Sequence, residues 1–186
     1  SLARELGKRI GFKVWDRELL SAIAEEAKAD EQLLASLDER RRKMIDDAVY
    51  GSLMGSQHSN TQYYRSLMRV VHTIGAHGRS IIVGRGSNYI LEPEDALRVR
   101  IVRPFEERVQ HMMNVEGMSE KDAQKLVKTR DAERDDFVRH YFKRDPADTL
   151  SYDLVLNAGV FNTGELAELT LLAYEKKIGK LPSPAG

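Results

Sequence analysis

A guanidinium set between two glycines is the most pointed chemical feature of this 186-residue sequence. In Val83-Gly84-Arg85-Gly86-Ser87 an apolar run delivers an arginine where the backbone can turn sharply and a ligand can come close. Arginine's planar fork suits two-point contact with phosphate or carboxylate. The same residues also read as an ordinary tight turn with its arginine in solvent. A second group is Arg130, Arg134 and Arg139, interleaved with Asp131, Asp135 and Asp136. Arg130 and Arg134 stand four apart and so share a helical face. Two cations there repel unless an anion or neighbouring carboxylates neutralise them. The pattern is either a clamp over polyanionic phosphates or a solvated face laced with Arg–Asp pairs. Asp16 is the third candidate, at the end of a short apolar run and just before a helical pattern. Its carboxylate either orients a ligand hydroxyl or sits near a metal-bound phosphate, or it caps the helix that begins at Arg17. His58, His72, His77, His111 and His140 show no metal-ligand spacing, so no metal site is expected from them.

The elements that must position these residues follow from periodicity. Leu2, Ala3, Leu6 and Ile10 recur at helical spacing and Gly11 ends that helix. Residues 12–15 read as a strand and 17–29 as an amphipathic helix. Residues 31–50 are highly charged and read as a solvated helix. Gly51, Gly55, Ser56 and Ser59 mark a break before a further helix over 62–74, whose Met68 and His72 are core residues. Residues 80–83 form a continuous apolar run between glycines, the pattern of a strand buried on both faces. Residues 97–102 alternate as a strand with one wetter side, and Pro104 suits the first turn of a helix to about Val115. Met112, Met113 and Met118 read as packing residues. Ser119 and Asp122 signal the cap of a long helix through Phe142. A last strand over 152–156 and a last helix over 165–178 precede a loose tail, 181–186. Strands separated by helices predict an α/β domain with a mainly parallel sheet. Ligands in such folds gather at the carboxyl ends of the strands. That rule selects Trp15-Asp16, Gly84-Arg85-Gly86, Arg103 and Asn157.

Composition narrows the classes. Lysine plus arginine and aspartate plus glutamate balance at 29 each, which argues against bulk electrostatic attachment to nucleic acid or to an anionic membrane. There is no cysteine, so thiolate zinc sites, iron–sulfur clusters and thiol nucleophiles are excluded. No apolar run approaches the roughly 20 residues of a membrane span. A cytoplasmic location is the expectation.

Five ordered segments together resemble the cytidylate kinase-like family of nucleoside monophosphate kinases. Residues 1–11 are similar to the helix that follows the family's phosphate-binding loop. Residues 12–20, containing Trp15-Asp16-Arg17-Glu18-Leu19-Leu20, are similar to its second strand and its Tyr-Asp-Arg-Glu-Leu pattern, and residues 81–91, with Gly84-Arg85-Gly86, are the most specific match. The helix carrying Arg130 to Arg139 and the run Tyr152-Asp153-Leu154-Val155-Leu156-Asn157 complete the set.

The resemblance implies a P-loop kinase fold, with helices on both faces of a five-stranded parallel sheet, in one domain over residues 1–180. It implies transfer of the γ-phosphoryl of ATP, with Mg2+, to a nucleoside monophosphate, CMP or dCMP first. It puts Asp16, Gly84, Arg85 and Gly86 in the monophosphate site and Ser1 at the end of the ATP-binding loop. Arg130, Arg134 and Arg139 fall in a lid over residues 118–145 that neutralises the transferring phosphoryl. Residues 30–75 would be a helical acceptor-binding insertion and a candidate arm for homo-oligomerisation. The family's first strand and its G-x-x-x-x-G-K-[ST] loop have no counterpart in these 186 residues. The resemblance therefore leads to the expectation of a further segment ahead of Ser1. A non-catalytic nucleotide-binding or protein-interaction module on the same fold is the alternative.

Overall fold

The computed structural model describes residues 1–25, 33–35, 37–54 and 62–181. The parts of the expected elements over 26–32, Gly55, Ser56, Ser59 and the tail 182–186 lie outside the described residues. The described chain packs as two compact units, whose bodies are Ala3–Ala96 and Leu97–Gly179.

In the first unit, helix α1 (Leu2–Ile10) ends at Gly11, whose φ of 68° is the left-handed conformation expected of a glycine stop. Strand β1 (Lys13–Trp15) follows, then α2 (Arg17–Glu25), α3 (Glu39–Met54), α4 (Gln62–His77), β2 (Ser80–Ile82) and the one-turn helix α5 (Ser87–Ile90). β1 and β2 pair in parallel, with Val14 opposite Ile81. Among the described residues, α2, α3 and α4 lie in the crossover that a parallel pair needs. The core is built on α4, whose Leu67, Val70, Val71 and Ile74 are fully buried, and which packs against α2 through Leu20.

In the second unit, β3 (Val99–Val102) leads to α6 (Phe105–Glu116), α7 (Glu120–Phe142), a single 3-10 turn (Thr149–Ser151), β4 (Leu154–Asn157) and α8 (Thr163–Lys177). β3 and β4 pair in parallel, Val99 opposite Leu154 through Val102 opposite Asn157. α6 and α7 pack on each other through Val109, Ala123 and Val127, with Phe105, Met112, Met113 and Met118 closing the cluster. Those methionines pack as the sequence suggested.

The described strands form two two-stranded parallel sheets, one in each unit. Two expectations are corrected. Ser80–Ile82 is only partly buried and Val83 is 38% exposed; among the described residues β2 has one ladder neighbour, β1. The charged segment is not uniformly solvated: α3 begins at Glu39, where the Asp38 carboxylate accepts the Arg41 N–H at 2.9 Å, and it runs past Gly51 to Met54. Ile45 and Val49, four residues apart, are buried where α3 meets α4. Among the described residues, no helix is long and apolar enough to cross a membrane.

Candidate functional site

The carboxyl ends of β1 and β2 lie side by side, because the Val83 N–H extends the ladder to the Trp15 carbonyl at 2.8 Å. This brings Asp16 next to the Gly84-Arg85-Gly86 turn, as the strand-end rule requires. Asp16 caps α2: its Oδ1 accepts the Leu19 N–H and its carbonyl accepts the Leu20 N–H, both at 3.0 Å. Of the roles open to this carboxylate in the sequence, the cap is the one made in the structure.

The turn itself has an unusual backbone. Gly84, Arg85 and Gly86 are all left-handed, with φ of 80°, 52° and 69°. Glycine adopts that region without penalty, but an L-residue at Arg85 costs about 1–2 kcal/mol. The conformation is held by the Ser87 N–H on the Gly84 carbonyl and the Tyr89 N–H on the Gly86 carbonyl, at 3.2 and 2.8 Å. It turns the half-buried Arg85 side chain onto α2, where Nε donates to Ser21 Oγ at 2.8 Å. Beside it, Arg17 donates from Nε and Nη2 to Glu18 Oε1 at 3.2 and 3.1 Å. Ser1 stands before α1; its carbonyl accepts the Glu5 N–H at 3.1 Å, while its hydroxyl makes no capping bond.

The lid arginines all lie on α7, an unbroken helix. Arg130 and Arg134 share one side, whereas Arg139, nine residues beyond Arg130, projects from the opposite side. The helix therefore joins two of the three and not the third. Arg134 is 56% exposed and is already engaged by carboxylates, with Nη2 to Asp131 Oδ1 at 3.0 Å and Nε to Asp135 Oδ1 at 3.5 Å. Asp131 also accepts from Arg108 Nη1 at 2.7 Å. The Arg108 hydrogen bond, aided by the positive charges of Arg108 and Arg134, holds the Asp131 carboxyl below the usual carboxylate range.

At the carboxyl ends of β3 and β4, Arg103 Nε donates to Glu107 at 3.1 Å, and Asn157 Oδ1 accepts the Gly159 N–H at 2.9 Å. A Cβ at Gly159 would stand 2.8 Å from the Glu107 carboxylate and 3.0 Å from Pro104 Cδ, so the chain after β4 passes close to the start of α6. Sequence reading overlooked Ser21 and Arg108, because each answers a residue far along the chain, Arg85 and Asp131. It also overlooked the clamp at the amino ends of these strands. There Asp153 accepts from the Arg98 N–H at 2.7 Å, Arg98 Nη2 at 2.8 Å and Lys177 Nζ at 2.6 Å.

The model of the cytidylate kinase-like family matches residues 1–159, a span that includes Asp16, the left-handed turn and the α7 arginines. The chain belongs to the cytidylate kinase-like family. Membership gives it a kinase-like, nucleotide-binding role in general terms. A curated relative, a uronate isomerase from Corynebacterium glutamicum, is 24% identical over 133 residues, which are 71% of this chain and 25% of that protein. The chain thus spans about a quarter of that relative's length. The crystal structure of an uncharacterized protein from Eubacterium ventriosum superposes with a TM-score of 0.72 at 17% identity, covering 94% of this chain and 90% of that one. That likeness establishes a shared mixed α/β fold. Among the described residues, no group of three or more His, Asp or Glu side chains is arranged to hold a metal ion.

Proposed function

We propose that this cytidylate kinase-like chain transfers the γ-phosphoryl of ATP to a nucleoside monophosphate, with CMP and dCMP the leading acceptors. The observation that carries this reading is the juxtaposition of Asp16 and the Gly84-Arg85-Gly86 turn at one sheet edge, within the span that matches the family. Phosphoryl transfer asks the protein mainly to position two phosphates and neutralise charge. On this reading the Arg85 guanidinium holds the acceptor phosphate, and the turn's glycines let the backbone come close to it. Ser1 lies beside the ATP phosphates. Arg130 and Arg134, on one side of α7, act as a closing lid that excludes water, and Arg139 on the opposite side stands outside that role. Arg134 would exchange Asp131 and Asp135 for phosphate oxygens as the lid closes, so it reaches the nucleotide without resting as a bare cation.

The test is ATP-dependent conversion of CMP, dCMP, UMP and AMP to diphosphates by the complete protein. Turnover of a cytidine nucleotide above the others is expected, and failure across the panel sinks the kinase reading. Arg85→Ala is expected to raise KM for the acceptor by roughly tenfold or more, while Arg134→Ala mainly lowers kcat. The second reading is a nucleotide-binding module without turnover on the same fold. It predicts monophosphate binding measurable by calorimetry with no diphosphate formed.

A further inference from the structure

We propose that Ser21 is the positioning residue for Arg85, and that it sets affinity for the acceptor's phosphate; the role rests on the monophosphate-site reading of Arg85. Arginine has a long side chain whose rotamer freedom must be given up before it can grip a phosphate in a fixed plane. In this protein that order exists before any ligand arrives. The left-handed backbone at Arg85 turns the side chain toward α2, and the 2.8 Å bond from Nε to Ser21 Oγ fixes the guanidinium plane. The platform is rigid. Ser21 lies in the second turn of α2, a helix capped by Asp16 and anchored by the fully buried Leu20.

The chemistry of the partner matters as much as its place. A hydroxyl orients the guanidinium and adds no negative charge, unlike Asp131 and Asp135, which orient Arg134 and also offset its charge. A serine here directs Arg85 without adding a charge of its own. The sequence offered no hint of this, since the two residues are 64 apart.

The experiment is a series at position 21 in the complete protein, read by calorimetric Kd for CMP, dCMP, UMP and AMP and by steady-state kinetics with ATP. Ser21→Ala removes the hydroxyl from an exposed-to-half-buried helical position where alanine folds at least as well. It is expected to raise Kd and KM for the bound monophosphate about tenfold, with kcat within twofold of the parent. Ser21→Thr keeps the hydroxyl and is expected to restore parental values. Ser21→Asp is expected to weaken binding further than alanine does, because its carboxylate neutralises Arg85. In the double variant with Arg85→Ala, the serine change is expected to have no added effect. If the parent binds a monophosphate and Ser21→Ala binds it equally well, or if the two changes are additive, the role of Ser21 is overturned while the site reading stands. If the parent neither binds nor phosphorylates any of the four, the site reading fails and the role of Ser21 falls with it.

Discussion

Among the described residues, the largest fully buried side chains, Leu20, Leu67, Val70, Val71, Thr73 and Ile74, belong to the unit built on residues 3–96. The unit of residues 97–179 has a thinner apolar centre at Val109, Ala123 and Val127. It adds two charged clamps, Arg98–Asp153–Lys177 and Arg108–Asp131–Arg134. On the proposed reading the contrast extends to the arginines that each unit would offer to a ligand. Ser21 Oγ accepts from Arg85, and two carboxylates accept from Arg134. That difference would suit a fixed receptor for an incoming anion and a guanidinium that changes partners when it acts. It also predicts that the two units respond to different perturbations.

The largest effect should come from the apolar side. Leu67→Ala, at a side chain with no exposed surface, is expected to cost about 2–5 kcal/mol in chemical denaturation, because the helices around it cannot collapse onto the space left behind. Trp15, the single tryptophan, belongs to the same unit and reports its unfolding by fluorescence. An equal loss from Val127→Ala, with its smaller side chain, would erase the contrast.

Acid should separate the units by pH. Burial lowers the His72 pKa from 6.5, so the folded first unit favours the neutral ring and loses stability as pH falls below about 6.5. Burial alone would raise the Asp153 carboxyl, but the hydrogen bonds from Arg98 and Lys177 outweigh it and hold the pKa well below the ordinary 3.8. Its contribution is therefore fully present above the unfolded value and is lost as pH falls below about 3.8. Hydrogen exchange followed by mass spectrometry, peptide by peptide, should show residues 62–77 loosening before residues 98–102 and 153–157. Asp153→Asn is expected to cost the second unit about 1–3 kcal/mol at neutral pH and to remove the acid step. A common midpoint for both sets of peptides would break the comparison.

A smaller effect tests a purely local contribution. Ser119 Oγ accepts the Asp122 N–H at 3.2 Å at the start of α7, and Ser119→Ala is expected to cost about 1 kcal/mol by thermal melting. The loss should appear in the second unit alone.

Features built from neighbours in sequence were legible in it. The Ser119 cap and the end of α7 at Phe142, the glycine stop at Gly11 and the adjacency of Asp16 to a helix start all depend on a few consecutive residues. Gly7 shows where such reading ran short. Its pattern suggests only a weakened helix, whereas a side chain there would meet Val14 Cγ2 at 2.8 Å and the Phe12 carbonyl at 3.0 Å, so it marks the close seating of α1 on β1. The start of α3 at Glu39 rests on the Asp38 cap, which the charged run around it hides, and the burial of Ile45 and Val49 was missed because charge dominates the local pattern. In the candidate site, the strand-end rule found Asp16 and the turn, but not what holds Arg85. Hydrogen bonds between residues 23, 55 or 64 positions apart leave no periodic trace.

The left-handed triplet has a consequence for laboratory evolution. Arg85 alone of the three carries a side chain in a conformation that glycine adopts at no steric cost. Arg85→Gly relieves that strain and, by loosening the unfolded chain, gives up a comparable amount, so the exchange is close to neutral for folding. A library screened only for heat resistance would therefore let the arginine drift away unnoticed. One screened for nucleotide turnover would keep it. The divergence of the two populations at this single codon would tell selection for the fold from selection for the chemistry.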